Sequence, residues 1–276
     1  MTVPLSSRAA AVFGSIGAAL GFCASTGPAP RAQDRISSAH TETRQITQPL
    51  DREIQSIAGG GATAWLAYRT ASVPNTRPSC NAPVLLEPAK EMIVLVRVAG
   101  ASVERLRTFA PSCEIDAGDM PLIWLDGVTP DASATWLTTL AQSAAVAAGR
   151  NGSLAQSALA ALELTPGAVA LRSLVTLAKD DGRPTVRSRA LNALALRAEQ
   201  EATATIQGAI ANDPDTGVKK TAVGALARMP KDEGVPLLIQ IARTNRNVEV
   251  RKQAMFWLGE SKDPRAISFF EEILSK

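Results

Sequence analysis

The sequence is poor in the residues that most often carry catalysis or bind metals. Among its 276 residues are one histidine, His40, three cysteines and one tyrosine, and aromatic residues make up only 4%. A Ser-His-Asp triad would have to use His40, which lies in a polar segment near the N-terminus. A zinc site would lack ligands, because no CxxC motif is present. We therefore expect no catalytic residues, no bound metal and no cofactor.

The charge and hydropathy of the chain exclude two further classes of partner. The net charge is +3, from 29 Lys and Arg residues and 26 Asp and Glu residues, so the sequence lacks the strongly basic character of a nucleic-acid-binding protein. The apolar run at residues 9–22 is shorter than the roughly 20 residues needed to cross a bilayer as a helix. We expect neither a nucleic-acid partner nor a stable membrane span.

The first 25 residues have the three parts of a secretory signal peptide. Arg8 supplies the basic part, residues 9–22 the apolar part, and the small residues Cys23 and Ser25 the cleavage site. We therefore predict an exported protein, periplasmic or secreted. Two alternatives remain: an apolar N-terminal helix of a cytosolic protein, and a lipoprotein anchored through Cys23, although the bulky Phe22 departs from the lipobox pattern.

Export changes the interpretation of the cysteines. Cleavage would remove Cys23 and leave Cys80 and Cys113, and two cysteines in an oxidising compartment most often form one structural disulfide. A loop of this length would give about 3–4 kcal/mol of stabilisation in the chain-entropy model. We predict that these two residues form a disulfide.

Residues 26–130 divide into two predicted parts. Residues 26–61 contain prolines, many polar residues and a triple glycine, which favour a flexible spacer, with a short helix within residues 46–57 as the alternative. Residues 62–130 contain four strand-like segments, and two of them, residues 91–98 and 102–109, flank a tight turn. The expectation is a small antiparallel β-rich domain. Three acidic residues near its end could bind calcium, but their spacing misses the EF-hand loop and indicates a solvated turn: Glu114, Asp116 and Asp119.

From residue 131 the sequence is helical, and a nine-residue phrase recurs at a step of 32 residues. Each copy begins with an aliphatic residue and has alanine at position five and leucine at position nine. The copies are LAQSALAAL from Leu154, VRSRALNAL from Val186, VKKTAVGAL from Val218 and VRKQAMFWL from Val250. A fixed period in this range indicates stacked helical repeats. We call the helix that carries the phrase helix B and the helix between two phrases helix A.

The turn before helix B carries a second ladder at the same step. Asp181, Asp213 and Asn245 are 32 residues apart, and six residues after each stand the basic residues Arg187, Lys219 and Arg251. The acid and the base could pair within or between repeats. The pattern V-[RK]-x-x-A-x-x-A-L with the preceding Asp resembles HEAT repeats, particularly the short bacterial kind of phycobilisome lyases. The resemblance covers about residues 150–276. It implies a mainly α protein, a right-handed α-α superhelix over residues 131–276 whose B helices line the concave face, and protein binding as its role.

The sequence predicts a non-catalytic interaction module that binds a protein or peptide through its B helices; its oligomeric state stays open. The candidate partner-binding residues are Arg187, Lys219, Lys220, Arg251, Lys252 and Trp257. For the bases the favoured alternative is that those at position two pair with the Asp ladder. For Trp257 it is that the side chain covers the open end of the core. The alternative function is an accessory or lyase-type protein that acts on a small molecule at the junction of β domain and solenoid.

Overall fold

The computed structural model describes residues 35–61, 63–73, 80, 90–143, 154–197 and 199–275. The predicted signal peptide, residues 1–25, and Cys23 lie outside the described residues. Residues 32–276 cluster as one compact unit. Within the described ranges seven strands and one helix, Leu50–Gly59, precede residue 127, and helices follow from residue 130 onward.

A five-stranded sheet forms the N-terminal part. Its strands are β2 (Thr41–Gln45), β3 (Ala64–Ala71), β4 (Glu91–Ala99), β5 (Ser102–Phe109) and β7 (Leu122–Asp126), in the order β2-β7-β3-β4-β5. The hairpin of β4 and β5 is antiparallel as predicted, but β7 runs parallel to both β2 and β3, so the sheet is mixed rather than antiparallel. A short separate pair joins β1 (Ile36–Ser37) to β6 (Ile115–Asp116).

The prediction of a flexible spacer over residues 26–61 is wrong for residues 36–59. They contain β1, β2 and helix α1 (Leu50–Gly59), which crosses from β2 to β3 and so permits the parallel pairing on both sides of β7. Helix α1 buries an apolar stripe with helical spacing: Leu50, Ile54, Ile57 and Ala58. Strand β2 is polar and mostly exposed, because it lies at the edge of the sheet, and its sequence therefore lacks the alternation that marks a half-buried strand.

Nine helices follow the sheet in the part of the chain that the structure describes. They are α2 (Pro130–Ser143), α3 (Leu154–Leu164), α4 (Ala168–Asp180), α5 (Pro184–Leu194), α6 (Gln200–Asn212), α7 (Thr216–Arg228), α8 (Lys231–Thr244), α9 (Val248–Glu260) and α10 (Pro264–Leu274). The four copies of the phrase lie in α3, α5, α7 and α9, and each of these B helices packs against the next. Every position-five alanine is fully buried: Ala158, Ala190, Ala222 and Ala254. The predicted helical solenoid is confirmed.

The sheet and the solenoid share one hydrophobic core. A single cluster of buried side chains extends from Leu50 on α1 to Phe269 on α10. Strand β5 packs against α3, and the backbone N–H of Val73 donates to the carbonyl of Leu164, the last residue of α3, over 2.7 Å. The sheet therefore covers the first B helix of the solenoid.

The structure joins Cys80 and Cys113 in a disulfide, as predicted. Cys113 is buried and lies between β5 and β6. A second, smaller cluster is buried on the face of the sheet that is opposite the helices, and it includes Ile36, Leu122 and Trp124. The disulfide anchors the segment between β5 and β6, which leads the chain to this face.

Helix α8 begins very close to the end of α7. A Cβ atom at Gly234 would lie 2.3 Å from the carbonyl oxygen of Leu226, whereas a Cβ atom at Gly208, within α6, would contact nothing within 4 Å. Gly234 is therefore required by packing, and Gly208 is not.

We expect Gly234→Ala and Gly208→Ala to change stability in opposite directions. The first should lower the free energy of unfolding by about 1–3 kcal/mol, because the backbone of α7 must move. The second should raise it by up to about 1 kcal/mol, because alanine favours a helix interior over glycine. Urea denaturation of both variants measures this, and equal effects would contradict the close approach of α8 to α7.

Candidate functional site

The surface that the B helices leave exposed is the candidate site. We define the B-helix face as positions three, four, seven and eleven of the phrases that begin at Val186, Val218 and Val250. These positions lie on one side of each helix. Apart from the buried Gly224, the side chains at these positions are of four kinds: basic (Arg189, Lys220, Arg228 and Lys252), apolar (Leu196 and Phe256), polar (Ser188, Asn192, Thr221 and Gln253) and acidic (Glu260).

Arg187, a predicted partner-binding residue, is buried and bridges two repeats. Its Nε and Nη2 donate to the two carboxylate oxygens of Asp213 over 2.8 and 2.9 Å, and its Nη1 donates to the carbonyl of Asp181 over 2.9 Å. Only 6% of Arg187 is exposed. The guanidinium therefore joins helix B of one repeat to the turn of the next, so of the two pairings that the ladder allowed, Arg187 makes the one between repeats.

Lys219 and Arg251 occupy the same position in the next two repeats and make part of the same contact. Arg251 Nη1 donates to the carbonyl of Asn245 over 2.7 Å, and Lys219 Nζ donates to the carbonyl of Ala211 over 3.0 Å. These carbonyls lie at the end of the preceding helix A, where carbonyls lack partners within the helix. The position-two bases thus cap helix A, and the structure directs all three of them toward the protein rather than toward a ligand.

The acid ladder has a second role that the sequence pattern did not indicate. The side-chain oxygen of each member accepts a hydrogen bond from the backbone N–H two residues later, which forms an Asx turn. The pairs are Asp181 with Arg183, Asp213 with Asp215, and Asn245 with Asn247, at 2.8–2.9 Å. Because asparagine forms this turn as well as aspartate, the third member can lack a charge.

These contacts lower the pKa values of the carboxylates. Burial alone would raise the pKa of Asp213, but the hydrogen bonds from Arg187 and from the Asp215 backbone outweigh it, and the pKa is lowered. Hydrogen bonds from Arg183 lower the pKa of Asp181. Before α10, hydrogen bonds from the side chain and backbone of Arg265 lower the pKa of Asp263 to about 2.

The two arginines of the B-helix face are also engaged within the protein. Arg189 lies 3.8 Å from the carboxylate of Glu163 on α3, and Arg228 donates to the side chain of Asn192. Burial raises the pKa of Glu163, although Arg189 and Arg228 lower it in part. These side chains link three successive B helices across the face.

The predicted residues that remain available on this face are Lys220 and Lys252. Lys252 Nζ lies 3.1 Å from the carboxylate of Glu249, but both side chains are more than half exposed, so the pair contributes little. Lys220 is half-buried and forms no salt bridge within the described residues. Phe256, one helical turn after Lys252 at position seven of the phrase in α9, is 56% exposed.

Trp257 occupies the position that is alanine in the other three copies. Its indole lies over Gly224 of α7, where a Cβ atom would be 3.3 Å from the indole Nε1. The ring of Phe256 meets it edge-on, with ring centroids 5.2 Å apart. Trp257 therefore packs back onto the preceding repeat, whereas the sequence favoured a cover for the open end of the core.

A groove of about 370 Å³ lies beside Trp257, between α7, α8 and α9. Its apolar walls are formed by Leu226, Ala227, Met229, Val235, Leu238 and Trp257, and charged residues at its edge are Lys231, Glu260 and Lys262. The sequence did not predict this groove. Two features of the sequence could have indicated it. One is the change from alanine to Trp257, and the other is the pair Gly224 and Gly234, which leave space for the indole and for the start of α8 respectively.

The described residues offer little for a metal or a membrane. No group of three or more His, Cys, Asp or Glu residues among them is placed to bind a metal ion. Asp116, one of the acidic residues considered for calcium, accepts hydrogen bonds from the Gly118 N–H and the Ser37 hydroxyl. No helix in the described ranges is long and apolar enough to cross a bilayer.

Comparison with known proteins supports the assignment of the repeats. Residues 171–254 match a family model described as HEAT repeats, and residues 250–276 match one described as PBS lyase HEAT-like repeat. No curated protein matches the chain. Among solved structures, one that is similar is the complex of CpcE and CpcF of phycocyanin lyase from Nostoc sp. PCC7120, at 20% identity and a TM-score of 0.39, over 52% of this chain and 90% of that chain. The repeat assignment rests on the two family models.

We expect Arg187→Met to lower the free energy of unfolding by about 3–5 kcal/mol, because it leaves the Asp213 carboxylate buried without its partner. Replacing both members, as Arg187→Met with Asp213→Asn, should restore much of the loss, because asparagine keeps the Asx turn and leaves no buried charge. Lys252→Met is the matched control, with an expected change within about 0.5 kcal/mol. Chemical denaturation measures all three, and a similar loss in Arg187→Met and Lys252→Met would refute the role of the bridge.

The lowered pKa values also predict loss of stability in acid. The folded-state pKa of Asp213 lies below its unfolded value of about 4, so its stabilisation is present above that pH and is lost as the pH falls through the folded-state pKa. The difference in unfolding free energy between wild type and Asp213→Asn should therefore shrink between pH 7 and pH 3. Glu249→Gln, in the exposed pair with Lys252, serves as control and should match wild type throughout.

Proposed function

Because residues 171–276 consist of HEAT-like repeats, we propose that the protein is a non-catalytic scaffold that binds a protein or peptide through the B-helix face. The observation that carries this proposal is the exposed ring of Phe256 on the same face as Lys220 and Lys252, outside the ladder of position-two bases. Aromatic residues, phenylalanine among them, are enriched in protein interfaces, and buried aromatic side chains often carry much of the binding energy.

The same proposal places the protein outside the cytoplasm, either in the periplasm or secreted. Its supports are the signal-like segment at residues 1–25 and the disulfide between Cys80 and Cys113, since stable disulfides belong mostly to oxidising compartments. An exported protein meets other proteins and peptides more often than nucleic acid, which agrees with its small net charge.

The alternative is an accessory or lyase-type protein that acts on a small molecule. The match of residues 250–276 to a PBS lyase HEAT-like repeat favours it. The groove beside Trp257, however, lies within the solenoid rather than at the junction with the sheet, where this alternative places its ligand. The groove also lacks a histidine or cysteine that could act on a bound molecule.

Photo-crosslinking tests the binding face in cells that produce the full chain. We expect p-benzoylphenylalanine at Phe256 to give adducts with another protein, and the same residue at Ile267 on α10 to give none of these adducts. The two positions form a matched pair because their exposed fractions are 56% and 55%. Lys220→Glu with Lys252→Glu should weaken the adducts at Phe256. Adducts that are the same at both positions, or absent at Phe256, would contradict binding through this face.

A further inference from the structure

We propose that the groove between α7, α8 and α9 receives one bulky apolar side chain of a partner segment, and that acidic residues flank this side chain. The inference rests on the proposed function and specifies the chemistry of the partner. It concerns one cavity at the edge of the B-helix face rather than the whole face.

The size and lining of the groove favour an apolar side chain. About 370 Å³ is within the range of small-ligand pockets and accommodates a leucine or phenylalanine side chain. Leu226, Val235 and Leu238 are almost fully buried and form a rigid floor, while Ala227 and Trp257 are only half-buried and form the open side. An apolar side chain that enters the groove would remove the exposed parts of these walls from water, which is favourable in proportion to the area covered.

The groove is continuous with the surface on which the partner is proposed to lie. Trp257 forms one wall of the groove and contacts the exposed Phe256 ring edge-on. Three residues further along α9, Gly259 has no side chain, and a Cβ atom there would contact nothing within 4 Å. The surface of α9 beside Phe256 is therefore open to a peptide backbone.

The charges at the edge of the groove favour acidic neighbours. Lys231 and Lys262 line it, and neither forms a salt bridge within the described residues, whereas Glu260 is the one acidic residue of the lining. The adjacent Asp263 is paired with Arg265 at 2.9 Å. The lining therefore carries an excess of one positive charge, and Lys220 adds to it on the neighbouring surface, whereas the charge of Lys252 is matched by Glu249. An acidic segment complements this distribution, and a basic segment does not.

Fluorescence anisotropy with synthetic peptides tests the inference on the full mature chain. The probe is a labelled ten-residue peptide with one central phenylalanine between glutamates; one matched peptide has serine in place of phenylalanine, and a second has lysines in place of glutamates. We expect the first peptide to bind at least about tenfold more tightly than either matched peptide, because only it fills the groove and meets the lysines. Equal binding of all three, or no binding, would overturn the proposal.

Two variants locate the binding. Ala227→Leu places a larger side chain in the groove and should weaken binding of the phenylalanine peptide by about tenfold or more. Lys231→Glu with Lys262→Glu leaves the apolar walls intact and should make the peptide with lysine flanks bind more tightly than the peptide with glutamate flanks. A misfolded protein would bind neither peptide, so this reversal shows that the groove is intact. Circular dichroism confirms folding of each variant.

Two further outcomes would overturn the proposal for the groove, and they have different consequences for the B-helix face. If Ala227→Leu keeps the peptide and Phe256→Asp loses it, the partner binds the B-helix face outside the groove, and the proposed function survives. If Ala227→Leu instead changes the oligomeric state in size-exclusion chromatography with light scattering, a second copy of the chain occupies the groove. By contrast, absence of the crosslinks from p-benzoylphenylalanine at Phe256 would contradict the proposed function itself.

Discussion

The close approach of successive B helices is the constraint on which the rest of the solenoid depends. Each repeat presents an apolar helix face that it cannot bury alone, and stacking on the next repeat buries it. The fully buried alanine at position five of each phrase permits this distance, while the leucine at position nine fills the space between layers, with at most 1% exposure in all four copies: Leu162, Leu194, Leu226 and Leu258. A larger residue at position five would force the layers apart.

The same constraint decides which charges are available to a partner. Stacking at this distance draws the turn of one repeat against the start of helix B in the repeat before it, so Arg187 and Asp213 are removed from water together. Burial of either charge alone would be strongly unfavourable. The bidentate contact of Arg187 with the Asp213 carboxylate, together with its hydrogen bond to the Asp181 carbonyl, satisfies the guanidinium. Position two of the phrase is therefore committed to the fold, whereas position three, one residue further around the helix, points Lys220 and Lys252 to the surface. A basic residue in this array is informative about binding only when its position in the phrase is considered.

The features of the fold that could be predicted from the sequence are mainly those marked by a regular spacing of residues. The step of 32 residues predicted the B helices and the close-packed alanines, since each copy repeats the same packing environment, but it left open whether Arg187 pairs within or between repeats. The hairpin at residues 91–109 followed from a local pattern, and the disulfide from the two cysteines that remain after the predicted cleavage. Strand β2 and the parallel arrangement around β7 did not, because a polar edge strand has no hydrophobic alternation and its pairing is decided by residues about 80 positions away. The groove could not be predicted because it depends on contacts between three helices: Gly224 of α7 against Trp257 of α9, and Gly234 of α8 against the end of α7.

The departure from the repeat at Phe256 and Trp257 follows from the same packing. An indole in place of the position-eight alanine needs space in the layer before it, and Gly224 provides that space at position seven of α7. Gly234 in turn lets α8 approach the end of α7, so the three helices meet around the indole and leave the groove between them. Phe256, the residue before Trp257, lies at position seven on the exposed side of the helix, and its ring meets the edge of the indole. The cavity beside the indole and the exposed aromatic ring therefore lie side by side, and this juxtaposition distinguishes the α7–α9 layer from the layers before it.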